Sequence, residues 1–130
     1  MLESLADRLN SASVAVTASN LFIGLMPDQP DLCVAIYEYS GQSPLEVLTS
    51  NTATLDRPSV QVLVRASRND YPTGRALTAS VRDVLTAITD ETISGERFLR
   101  VNSVSSITAL GVDSNDRPRF SLSLQVVMER

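Results

Sequence analysis

Near the end of the chain apolar and polar residues alternate. Phe120, Leu122, Leu124, Val126 and Met128 fall on one side of the run, and Arg119, Ser121, Ser123, Gln125 and Glu129 on the other. A period of two is the signature of a strand with one covered face. The same pattern occurs earlier, with Val60, Val62, Val64 and Ala66 against Gln61, Leu63 and Arg65. Asp-Arg-Pro precedes both runs, at Asp56-Arg57-Pro58 and Asp116-Arg117-Pro118. Proline presets φ and lacks a donor, so the two triplets are expected to mark where the strands begin.

Other stretches follow different periods. Leu2, Leu5, Ala6, Leu9 and Ala12 repeat at helical spacing and predict an amphipathic helix from residue 2 to about 15, with acidic Glu3 in its first turn. The clearest helix is central, where Leu77, Val81, Val84, Leu85 and Ile88 share one face, Asp70 can cap the start and Pro72 sits in the first turn. "NLFIGLMPDQPD" reads as a short extended piece ending in a loop over Pro27 to Asp31. "LCVAIYEYSG" reads as a strand apolar on both faces, stopped by Ser40-Gly41. Residues 41–57 are polar and weakly patterned, a long loop or a hairpin arm, with one short strand at Leu45 to Leu48 as the alternative. One or two strands are expected from Phe98 to Val112, then an Asx-rich turn over Asp113 to Arg117 leading to the final strand. Hairpin links and alternating strands make this an α+β chain: a single domain over residues 1–130, with an antiparallel or mixed β-sheet packed by an N-terminal helix and a central helix.

Composition narrows the chemistry. The chain has no histidine and no lysine, and Cys33 is its one cysteine. That removes a Ser-His-Asp triad, a Cys-His pair, a histidine-ligated zinc, a Schiff-base lysine and an internal disulfide. Asp113 and Asn115 fit two positions of a calcium loop, but Arg117 and Pro118 stand where a ligand and a glycine belong. No catalytic residue, metal or cofactor is therefore expected. A small carboxylate enzyme or a ligand-binding domain remains the alternative from another class. Net charge is −4, and most arginines have an acidic neighbour, as in Asp7-Arg8, Arg82-Asp83 and Glu96-Arg97. Such a chain lacks the concentrated basic patch of a nucleic-acid binder. No stretch approaches the roughly 20 apolar residues of a membrane span, and the charged, amphipathic start is unlike a signal peptide.

Read together, the N-terminal helix, "LFIGLMPDQPDLCVAIYEYSGQSP", "DRPSVQVLVRAS" with Tyr71 and its helix, and "LGVDSNDRPRFSLSLQVV" resemble the phage minor capsid and tail-terminator family. The resemblance implies a virion protein of the tail or neck, made in the host cytoplasm, that forms a ring, typically hexameric, at the head-proximal end of the tail tube. The partners implied are other copies of the chain, the tail tube protein, a head-side connector or head-completion protein, and a sheath protein if the tail is contractile. DNA would pass through the lumen without being read. Another neck component or a tail-tube subunit is the runner-up. The candidate interface residues are Arg57 and Arg117, with Arg119 beside the latter and Pro44, Leu45 and Glu46 in the 41–57 segment.

Overall fold

A computed structural model describes residues 1–46 and 53–129. Two helices and seven strands follow in the order α1 (Leu2–Ser11), β1 (Leu21–Ile23), β2 (Cys33–Glu46), β3 (Ala53–Arg65), α2 (Tyr71–Thr86), β4 (Thr89–Ile93), β5 (Glu96–Ser103), β6 (Thr108–Val112) and β7 (Pro118–Glu129). The strands form one mixed sheet in the order β1-β2-β3-β7-β5-β4, and β6 joins β7 beyond the end of β5. Among the described strands β1 and β2 pair parallel and the other pairs are antiparallel. The fold is α+β, as the alternation implies.

Both helices cover the same face. The alternating residues Val60, Val62 and Val64 of β3 and Phe120, Leu122, Leu124 and Val126 of β7 are all fully buried beneath them. From α2 come Val81 and Leu85, joined by Ile88 just past its end, and from α1 Leu5 and Leu9. Burying side chains of this size stabilises by roughly 1.5–3 kcal/mol each. Asp70 caps α2, accepting from the Thr73 N–H at 3.4 Å, and Pro72 lies in the first turn where no donor is required. Gly74 lets this turn touch the sheet: a Cβ there would lie 2.6 Å from Phe120 Cε2.

The pattern misleads in four places. α1 ends at Ser11 rather than near residue 15, because Ser13 takes a left-handed φ of 59° before the β-branched run begins. β2 does not stop at Ser40-Gly41. It continues to Glu46, and its register against β3 slips between Tyr39 and Gln42. Gly41 sits at that slip because a Cβ would meet Arg57 O at 2.3 Å. The first Asp-Arg-Pro triplet therefore lies inside β3, whereas the second does start β7. Pro58 has no N–H to give the ladder, and beside it the Gln125 side chain satisfies two β3 carbonyls, donating to Arg57 O (2.9 Å) and Pro58 O (3.0 Å). β4 is an added strand, and Ser94-Gly95 is the tip of the β4–β5 hairpin. Both residues have positive φ, as a two-residue hairpin turn demands. Of the 41–57 segment, residues 41–46 belong to β2 and 53–57 to β3. The rest of the short strand read at Leu45 to Leu48 lies outside the described residues.

Candidate assembly surface

The outer face of the sheet, away from the helices, carries polar side chains that bond to one another, as Gln61 Nε2 does to Ser121 Oγ at 3.1 Å. At one end the loop over residues 24–31 folds against it. That loop contains Pro27 and Pro30, the latter after a cis peptide bond, and neither can donate a backbone hydrogen bond. Two arginines hold it instead. Arg65, at the end of β3, is 5% exposed and donates to four loop carbonyls: Pro27 (2.7 Å), Asp28 (3.2 Å), Pro30 (2.7 Å) and Asp31 (3.0 Å). Arg117, also 5% exposed, donates to Asp28 O (2.6 Å), Asp28 Oδ1 (3.0 Å), Asp31 Oδ1 (3.1 Å) and Asp113 Oδ2 (2.8 Å). Burial opposes its charge, but these three carboxylates outweigh that and raise its pKa further. Cys33 lies beside both arginines, and burial pushes its thiol up despite their charge.

The turn before β7 is built around Asp113. Its Oδ1 accepts from the backbone N–H groups of Asn115 (2.9 Å) and Arg117 (3.0 Å), so the atoms that could ligate an ion are turned inward on the chain itself. Asp116 takes the positive φ of 59° that this turn requires. No cluster of metal-ligating side chains occurs among the described residues.

The residues singled out from sequence fall at two ends of the sheet. Arg57 is half-buried in β3 and pairs in register with Gln42, close to the β2 segment that carries Pro44, Leu45 and Glu46. With Met1, Tyr39, Glu96 and Met128 it lines an open hollow. Arg117 and Arg119 belong to the opposite end, since Arg119 pairs with Arg65. Eight residues of strand, roughly 27 Å, separate Arg65 from Arg57, so the structure does not gather these residues into one site. Arg117 is turned into its own chain, holding the 24–31 loop.

Arg119 differs from its neighbour. It is half-buried, and its Nε has no hydrogen-bond partner among the described residues. It forms one wall of a cleft of about 300 Å³, with Tyr71, Ala109, Gly111, Val112 and Pro118 around it. Tyr71 is fixed edge-on against Phe120, with ring centroids 4.9 Å apart. β6, which borders the cleft, is exposed along its whole length. Sequence reasoning missed the cleft and the role of Arg65. Tyr71 and Val112 carry no periodic signal, and Arg65 reads as one more polar residue on a strand's outer face.

Residues 8–130 match the family described as bacteriophage tail terminator protein. The chain belongs to that family. Among solved structures it is similar to a chain from the virion of a native gene transfer agent particle, at 18% identity and a TM-score of 0.72, covering all of this chain and 95% of the other. A second solved chain, 12% identical, aligns over 99% of this one and 92% of its own length with a TM-score of 0.60. At those identities the likeness is one of fold. Comparison with curated proteins gives no match. Family membership makes this tail terminator relative a structural protein of the phage tail.

Proposed function

We propose that the protein closes into a ring, of six subunits, on the head-proximal end of a phage tail tube. There it ends tube polymerisation and presents its far side to the head-side connector or a head-completion protein. If the tail is contractile, a sheath protein meets it as well. The observation that carries this reading is the tail terminator match, which spans residues 8–130. The form of the sheet agrees with it, because a head-to-tail contact between two different edges of one molecule generates a ring when the rotation closes. The net charge of −4 agrees too, since an acidic subunit around a DNA conduit does not hold the passing strand. The work is done by shape and edge complementarity, without turnover, and the protein resides in the assembled virion.

The reading is tested by native mass spectrometry of the purified protein, alone and with tail tubes, and by deleting the gene. Rings, and overlong tails unjoined to heads on deletion, are the expected results. A species that stays monomeric even with tube ends present, or normal tail length without the protein, refutes it.

A further inference from the structure

Leu21, Val34, Val64, Phe120 and Ala109 stand side by side across β1, β2, β3, β7 and β6. The β1 and β6 edges are thus the two ends of one row of five strands, roughly 19 Å apart. β1 runs with β2, and each later step reverses direction, so β6 runs opposite to β1. Where copies meet head to tail, the β6 edge of one lies antiparallel to the β1 edge of the next.

The two edges also differ in chemistry. β6 is exposed throughout, Val112 by 55%, and behind it lies the apolar cleft beside Arg119. The buried Nε of Arg119 lacks an acceptor among the described residues, and a buried donor left unmade costs more than a made one returns. Asp116, at the rim of the cleft, already pairs with Arg68 at 3.3 Å. The opposite edge supplies what the cleft lacks. Ile23 and Leu25 are exposed there, Leu25 by 65%, and the Asp28 side chain, 78% exposed although its Oδ1 accepts from Arg117 of its own chain at 3.0 Å, follows in the loop held by Arg65 and Arg117. The outward groups of Leu21 are already used within the chain, its N–H on Val16 O and its carbonyl by Ala18 N. That edge is therefore suited to insert side chains rather than to extend a long ladder.

We infer that the β6 edge of one subunit receives the 23–28 segment of the adjoining subunit, with Leu25 entering the cleft and the Asp28 carboxylate meeting Arg119. This rests on the ring reading and assigns the surface through which the ring closes.

The test is a double variant, Leu25→Cys with Val112→Cys, treated with a short bis-maleimide under conditions where native mass spectrometry detects rings. Both positions are exposed, and the native Cys33 is buried. The expected result is a ladder of covalent multimers from the double variant, at least about tenfold more product than from either single variant, as befits two different patches meeting. Rings that form without a ladder overturn this inference and leave the ring reading standing. A parent protein that never forms rings removes both. Separately, Arg119→Ala and Arg119→Glu, checked by thermal melting to be folded, are expected to lower the ring fraction by about tenfold or more, as loss of a central interface arginine does. Normal rings that no longer bind tail tube ends would assign the cleft to the tube protein instead and refute the second-copy assignment.

Discussion

Replacing Arg65 with methionine removes the donors that hold the 24–31 loop while leaving an apolar stem of similar length. In the native chain one guanidinium serves four carbonyls between Pro27 and Asp31, at 2.7 to 3.2 Å. A hydrogen bond from a charged donor is worth roughly 1.5–3 kcal/mol when removed. The four do not add, because the freed carbonyls lie near the surface and rehydrate. Arg117 also still grips Asp28 O at 2.6 Å. A net loss of about 2–4 kcal/mol is expected. For a domain of this length that lowers the melting temperature by about 8–15 °C. Thermal and denaturant unfolding measure it directly, and amide exchange over the loop locates the loss. Arg65→Lys keeps the charge but presents a point rather than a planar fork, and should recover less than half of the stability. An Arg65→Met variant melting within about 2 °C of the parent, or a lysine that restores everything, would show that the fork does not hold the loop.

Four further outcomes follow from local geometry. Gly74→Ala drives a Cβ to 2.8 Å from Ala66 Cβ and 2.6 Å from Phe120, and should cost about 1–3 kcal/mol in denaturant unfolding. Gly95→Ala meets open space and pays only for its φ of +82°, about 1 kcal/mol. Gln125→Ala removes the side-chain donor to Arg57 O and Pro58 O and is expected to lose about 1–2 kcal/mol, read as a shifted denaturant midpoint with unchanged slope. Burial raises the pKa of Asp113, but the N–H groups of Arg117 and Asn115 and the Arg117 guanidinium outweigh it and hold the carboxyl below its usual range. A depressed native value means its contribution is present above about pH 4 and fades as pH falls through that native value. Melting curves from pH 6 to 2 should therefore fall less steeply in Asp113→Asn than in the parent.

How far the sequence was legible depended on whether a residue's role is periodic. The apolar set of β7 is buried as alternation requires, and Asp70 caps α2 as its position before Pro72 suggests. Glycines were harder, because the same residue serves a turn, a slip or a close approach. Gly41 looks like a stop and is a strand position pressed on Arg57 O, while Gly95 is the tip of a hairpin whose first strand carries no periodic signal. The arginines were hardest. Arg117 reads as an exposed charge on a strand start, yet its acceptors Asp28 and Asp31 lie 89 and 86 residues away. No pattern along the chain encodes such a contact. The cleft beside Arg119 was invisible for the same reason, since its walls come from α2, β6 and the start of β7.

The arginines that bury their charge in the loop also bear on assembly. An exposed segment such as 23–28 would ordinarily lose conformational freedom on docking, and that loss subtracts from affinity. Here the segment runs directly into a loop pinned by Arg65 and Arg117, so much of the ordering cost is met when the chain folds. Stability and ring closure should then be separable. At a temperature well below its melting point Arg65→Met stays folded, but its loop is held by Arg117 alone, and ring formation should weaken although no residue of the contact has changed. A folded Arg65→Met monomer that assembles at the parent's concentration would mean the loop stabilises the subunit alone, and that its rigidity contributes nothing to the contact between subunits.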